Sequence, residues 1–170
     1  LRATGTEKLK LEIISGGADP ANQKKATLIA QGVTGEMQFY RITRDLVDSA
    51  GQGVDTGAVS FLALVVDDQT SGSKTAQGTV TVDTSNIAFI PSITPGEGPV
   101  TDLDSFKPSA SGMEPAGHDT TQFAQASKDQ FQIDYDLSQG ADSDFSRWAG
   151  ALMNFLSKPF DLTQEDLVIG

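Results

Sequence analysis

The sequence predicts a mainly β fold, organised as a single-domain β-sandwich or a bent antiparallel sheet with one C-terminal amphipathic helix at about residues 143–157. Apolar and polar residues alternate without error over Gln130–Leu137, which is typical of a strand with one buried face. The continuous apolar run Ala58–Val66 indicates a central strand buried on both faces. The helix is predicted from an apolar stripe at helical spacing, formed by Phe145, Trp148, Ala149, Leu152 and Leu156.

The first sixty residues contain the earliest predicted strands. Leu9, Leu11 and Ile13 alternate with charged residues and indicate a strand with one wet face. The segments Ala26–Ala30 and Met37–Thr43 are separated by residues that include two glycines, which predicts a hairpin. One helical turn is expected within Asp45–Ala50.

Three further short segments bring the expected total to about seven strands and a terminal strand. Thr79–Asp83 alternates around its valines, and Ile87–Ile90 is apolar and ends before a proline. Leu167–Ile169 is predicted to be a terminal strand or docking segment.

The predicted helix has suitable ends as well as an apolar stripe. Ser143 is a candidate N-cap, Asp144 and Lys158 complement the helix dipole, and Pro159 would end the helix. Because Trp148 shares its stripe with leucines, we expect its side chain to belong to the core.

Residues 94–121 form a long segment that is rich in Pro, Gly and Ser, and we expect it to act as an extended arm within the single domain 1–170. It holds four of the seven prolines in the chain. Prolines cannot donate ladder hydrogen bonds, so few contacts within the segment can offset the conformational entropy lost on ordering. We therefore expect a neighbouring molecule to hold the segment in place. The apolar residues expected to form this interaction arm are Val100, Leu103, Phe106 and Met113.

Composition restricts the classes of partner. The net charge is -11, and residues 94–170 carry 13 acidic and 4 basic residues, so a direct contact with nucleic acid or an anionic membrane surface is not expected. No apolar run approaches the ~20 residues that a membrane helix needs. The absence of cysteine removes disulfides and thiolate chemistry. The chain begins at Leu1 and not at Met, which indicates the removal of a preceding segment by processing or truncation.

Catalytic motifs are weak. The only histidine, His118, lies in the Pro-rich segment without a Gly-x-Ser-x-Gly motif elsewhere. Ser71–Lys74 matches Ser-x-x-Lys but falls in a glycine-flanked loop, and Gly51, Gly53 and Gly57 lack the spacing of a nucleotide-binding loop. The sequence therefore predicts that the protein is not an enzyme and has no cofactor.

One cluster of polar residues is a candidate metal site, and it consists of Asp134, Asp136, Ser138 and Asp142. Oxygen ligands at alternate positions resemble the first half of a calcium loop, although Gln139 replaces the turn glycine and Phe145 replaces the closing glutamate. The two aspartates on one strand face are alternatively a paired-carboxylate site. The simplest interpretation is the wet face of a strand, so no metal site is favoured.

Together these observations predict a non-enzymatic structural subunit of an extracellular or virion assembly, such as a phage particle or a surface filament, with oligomeric partners. A secreted binding module for calcium or carbohydrate is the alternative. Strand-rich subunits of assemblies often complete a neighbour's sheet edge with an arm or a terminal strand.

Overall fold

The computed structural model describes residues 1–50, 53–83, 88–91, 113–115, 122–126, 130–140 and 147–170, and for 88–91, 113–115 and 122–126 only the backbone is described. The fold is mainly β, with three antiparallel sheets and few helices. The arrangement is sandwich-like, because inward-facing residues of the sheets share one apolar core.

The largest sheet has five strands, with β5 in the middle. Their order across the sheet is β3 (Lys24–Gln31), β2 (Lys8–Ser15), β5 (Val59–Asp67), β11 (Trp148–Asn154) and β8 (Met113–Pro115). All nine residues of β5 are buried, as the apolar run predicts for a central strand. The two edges of this sheet are therefore β3 and β8.

The other two sheets are smaller. The four-stranded sheet has the order β1 (Arg2–Ala3), β6 (Gln77–Asp83), β10 (Gln130–Asp136) and β9 (Gln122–Ala126). The three-stranded sheet has the order β4 (Tyr40–Ile42), β12 (Glu165–Ile169) and β7 (Ala88–Pro91). Their ends are linked where the Asp83 amide donates to the Gly170 carbonyl at 2.9 Å.

Two short helices follow strands. Helix α1 (Arg44–Ser49) begins after β4, and the Thr43 side chain accepts a hydrogen bond from the Leu46 amide at its start. Helix α2 (Asp68–Ser71) is a single turn capped by Asp67. A 3-10 turn over Leu137–Gln139 follows β10, and Asp136 caps it.

The core receives side chains from all three sheets, which explains why the strands alternate. In β10 the apolar residues Phe131, Ile133 and Tyr135 are buried and the residues between them are not. Residues with at most 2 % exposure in this core include Leu9, Ile13, Leu62, Leu64, Val82, Ile133, Leu167 and Ile169.

The backbone of β1 and the residues that follow it lies very close to β6. A Cβ atom at Gly78 would overlap the carbonyl oxygen of Thr4, and one at Gly5 would overlap that of Gln77. Gly5 also has a φ of 76°, a conformation that side-chain-bearing residues rarely adopt. The Tyr135 hydroxyl donates to the Thr4 carbonyl at 2.9 Å and closes the junction.

Many strand predictions are confirmed. The alternating segments around Leu11 and over Gln130–Leu137 are strands β2 and β10, and the apolar run Ala58–Val66 is β5. The expected helical turn within Asp45–Ala50 is α1, and Leu167–Ile169 belongs to β12.

The predicted C-terminal helix is wrong over the described residues. Trp148–Asn154 is strand β11, which pairs with β5 on one side and β8 on the other; residues 143–146 lie outside the described part of the chain. The buried residues Ala149, Ala151 and Met153 alternate, so the segment also carries a strand pattern that the helical stripe obscured. Trp148 is half-buried, so the prediction that its side chain belongs to the core is wrong.

The predicted hairpin between Ala26–Ala30 and Met37–Thr43 is also wrong. β3 pairs with β2, whereas β4 is shorter than expected and pairs with β12, which lies more than a hundred residues further along the chain. The glycines between them allow a turn, but partner choice depends on long-range packing. The described residues hold twelve strands where about seven were expected.

Candidate interaction surface

Asp134 and Asp136, the two strand aspartates considered above as calcium ligands, accept hydrogen bonds from neighbouring residues. Asp134 Oδ1 accepts hydrogen bonds from Thr79 Oγ1 at 2.8 Å and from Gln132 Nε2 at 2.9 Å. Asp136 accepts from the Ser138 amide and hydroxyl, and these bonds lower the pKa of its carboxyl. Asp136 therefore acts as a cap for the 3-10 turn that contains Ser138.

No group of three or more His, Asp or Glu side chains within the described ranges is placed to hold a metal ion. Asp142 lies outside the described residues, as does His118. Ser71 ends helix α2, where its hydroxyl donates to the Asp67 carbonyl at 2.7 Å, and Lys74 follows in the loop. Gly53 and Gly57 belong to the loop before β5, and Gly51 is outside the described residues.

A polar cleft of about 620 Å³ lies between the β1–β2 connection and α2. Its hydroxyl groups bond within the chain: Thr6 Oγ1 donates to the Lys8 carbonyl at 2.8 Å, and Thr70 Oγ1 lies 2.9 Å from Asp67 Oδ1. The residues that line this cleft are Ala3, Thr4, Gly5, Thr6, Glu7, Lys8, Gly35, Gln69, Thr70, Ser71 and Gly72.

Beside this cleft, Asp67 is buried at the end of β5 and forms an ion pair with Lys10. Burial alone would raise the pKa of the Asp67 carboxyl, but the hydrogen bonds from Lys10 and Thr70 outweigh it and lower that pKa. The pair ties β5 to β2 and explains how a carboxylate is tolerated on a buried strand.

Within the described residues, most of the exposed large hydrophobic side chains lie near the edge of the five-stranded sheet opposite β8. Here β3, β4 and α1 enclose a groove of about 380 Å³, which we call the β3–β4 groove. Its lining residues are Leu11, Leu28, Ile29, Ala30, Gln31, Tyr40, Arg41, Ile42 and Leu46.

Several apolar side chains in and near the β3–β4 groove face solvent. Ile29 is 43 % exposed and Leu46 is 46 % exposed, although both are large aliphatic residues. The segment that leads into β4 exposes Phe39 at 69 % and Met37 at 40 %. Four of the five large hydrophobic residues exposed in the described chain therefore belong to β3, α1 or the approach to β4, and the fifth is Leu156.

The arginines at the rim of the groove are held in ion pairs. Arg41 forms an ion pair with the buried Asp166, with its Nε 2.7 Å from Asp166 Oδ2. Arg44 lies 3.1 Å from Asp48 across one turn of α1. Within residues 24–49, which include both strands of the groove and α1, four residues are basic and three are acidic.

Both strands of the groove are sheet edges. β3 is the outermost strand of the five-stranded sheet and β4 is the outermost strand of the three-stranded sheet. Helix α1 packs against β3 and narrows the opening. An edge strand beside exposed apolar side chains is a surface on which another chain can pair or pack.

The predicted interaction arm is described only at its C-terminal part. Met113 lies in β8, where its backbone pairs with Met153 of the same chain. Val100, Leu103 and Phe106 lie outside the described residues.

Sequence analysis missed the β3–β4 groove, but signals for it exist. Leu28-Ile29-Ala30 places three apolar residues in succession on a strand, so one of them must face away from the core. Leu46 and Val47 are adjacent in a six-residue helix, and only Val47 is buried.

Comparisons of the chain with protein-family models, curated proteins and solved structures found no match. Within the part of the chain that the structure describes, no helix has the length and apolar character to cross a bilayer.

Proposed function

We propose that this protein is a non-enzymatic structural subunit of an extracellular or virion assembly, such as a phage particle or a surface filament. The observation that carries the proposal is the β3–β4 groove, where apolar side chains stay exposed between two sheet edges. Burying them against another copy would remove apolar surface from water.

The proposed structural role is supported by the contacts of three buried or capping aspartates. Asp67, Asp136 and Asp166 serve as caps or ion-pair partners. These contacts stabilise the ends of strands and short helices, so the three carboxylates have structural roles in the fold.

The arm contributes the second half of the proposed interface. Val100, Leu103 and Phe106 are the apolar side chains that a neighbouring copy would bury, and Met113 anchors the arm's end through β8. A contact between an arm and a different surface is heterologous, so it generates rings or filaments.

Static light scattering of the purified chain over a concentration series tests the proposal. We expect a mass well above 17.9 kDa that falls on dilution. A mass of one chain at every concentration would remove the assembly role.

A secreted binding module for carbohydrate is the second candidate function, and the polar cleft favours it. Its volume of about 620 Å³ lies in the range of small-ligand sites. Titration with neutral oligosaccharides, with Gln69→Ala as the cleft variant and Gln164→Ala as the control outside it, tests this candidate. Heat of binding that is measured for the wild type and for Gln164→Ala but is lost in Gln69→Ala would support the binding module. A chain that stays monomeric in light scattering would favour it further. A calcium-binding module has no supporting ligand cluster among the described residues.

A further inference from the structure

We propose that the β3–β4 groove of one copy receives residues 99–107 of a second copy, in a head-to-tail contact. This inference rests on the proposed assembly role and names the two surfaces that meet. Three observations carry it: the topology of the sheets, the length of the connecting segment and the spacing of apolar residues.

The topology places the arm and the groove on opposite edges of the same two sheets. The segment 92–112 leaves β7, an edge of the three-stranded sheet, and returns at β8, an edge of the five-stranded sheet. The groove lies between β4 and β3, which are the other edges of these two sheets. When copies are stacked edge to edge, the arm side of one copy therefore faces the groove side of the next.

The connecting segment is long enough to bridge two copies. It has 21 residues, and a loop held at both ends can reach out by about ten residues, or roughly 33 Å. Residues 99–107 lie at its middle, where the reach is greatest. The same length would permit the segment to cross about four strand spacings, roughly 19 Å, to the groove of its own copy, so the experiment must separate the two arrangements.

The apolar residues of the arm have a regular spacing. Val100, Leu103 and Phe106 are three residues apart, between Pro99 and Pro108. Three residues is the repeat of a polyproline II helix, so a segment in that conformation presents all three side chains on one side. The groove offers matching apolar contacts at Ile29, Leu28 and Leu46.

The association test uses variants on each surface. Leu46→Glu places a negative charge on an exposed groove residue, and Leu103→Ser with Phe106→Ser removes two arm anchors. Each change should weaken self-association at least about tenfold. Leu156→Glu is the matched control, since Leu156 is 38 % exposed and lies outside the groove.

Mixing the variants tests the head-to-tail geometry. A copy with Leu46→Glu keeps its arm, and a copy with the two serines keeps its groove, so the mixture should form a dimer that neither variant forms alone. Unchanged association by Leu46→Glu in an oligomeric wild type would overturn the groove contact and leave the assembly role standing. A monomeric wild type would overturn both.

The absence of cysteine permits a direct test of proximity, which also serves if Leu46→Glu fails to fold. A Leu103→Cys copy labelled with heavy isotopes is mixed with an unlabelled Ile29→Cys copy and oxidised. We expect a disulfide between labelled and unlabelled chains, with Leu156→Cys as the control for random collision. In the double variant Leu103→Cys with Ile29→Cys, disulfides that form only within one chain would overturn the proposal.

Discussion

The β1–β6 junction and the β3–β4 groove both lie at sheet edges, but the junction is closely packed within the chain whereas the groove is open to solvent. At the junction the chain completes its own packing, because glycines let the backbones of Thr4 and Gly78 touch and Tyr135 closes the contact. At the groove large apolar side chains such as Ile29 and Leu46 remain exposed between two edge strands.

The difference separates residues that hold the fold from residues that are available to a partner. Substitutions at the β1–β6 junction or in the core should change the free energy of unfolding. Equivalent substitutions at the groove should change association and leave the stability of a single copy nearly unaltered. Each of the following predictions compares a buried or tightly packed position with a more exposed one.

The largest effect is expected for Leu64→Ala in the middle of β5. Leu64 is 2 % exposed, so truncation leaves a cavity and should lower the free energy of unfolding by about 2–5 kcal/mol. Ile29→Ala, at a residue that is 43 % exposed, should cost less than about 1 kcal/mol in dilute protein. Urea denaturation measures both, and equal losses would mean that the groove is part of the core.

Gly78→Ala tests the closed junction itself. The added methyl would overlap the Thr4 carbonyl, so β1 must move away from β6 at a cost of about 3 kcal/mol. Gly35→Ala is the control, because its Cβ would meet only Thr4 Cγ2 at 3.9 Å. Thermal unfolding should show a clear drop for Gly78→Ala alone, and equal midpoints would indicate a looser junction.

Asp67→Asn is expected to cost about 2 kcal/mol at neutral pH, because it breaks a buried ion pair whose Lys10 partner is partly exposed. The lowered pKa of Asp67 stabilises the fold above its unfolded value of about 3.9 and loses this effect as pH falls through the folded value. The difference between wild type and variant should therefore shrink below about pH 4. Asp48→Asn, at an exposed pair on α1, should cost at most about 0.5 kcal/mol, and a pH-independent gap for Asp67→Asn would contradict the assignment.

The smallest effect is expected for two tyrosine hydroxyls. Tyr135→Phe removes the bond to the Thr4 carbonyl and should cost about 1 kcal/mol, whereas Tyr40→Phe at the groove loses only a bond to the Gln38 side chain. Burial raises the pKa of Tyr135 to about 12, so wild-type stability should fall as pH rises from about 10 toward that value. Alkaline unfolding curves that are identical for wild type and Tyr135→Phe would contradict this role.

Local pattern sufficed where one periodicity dominated. Gln130–Leu137 alternates and Ala58–Val66 is continuously apolar, and both are strands. Over 148–154 two periodicities coincide, since Trp148, Ala149 and Leu152 fit a helix while Ala149, Ala151 and Met153 fit a strand. The flanking strands β5 and β8 decide the outcome, and that information is not local.

The candidate surface was harder to predict than the strands. An apolar residue on a strand is expected to face the core, and only the sheet order shows that β3 and β4 are edges that expose Ile29 and the approach to β4. The pairing of β4 with β12 joins residues more than a hundred positions apart, which no window of the sequence can show.

Hydrogen–deuterium exchange at low and high protein concentration tests the contrast between the closed and open regions most directly. The account predicts that amides in 26–31 and 40–46 become more protected as concentration rises, while amides in 77–83 are unchanged. Protection at the groove that does not depend on concentration, or a concentration dependence confined to 77–83, would contradict it.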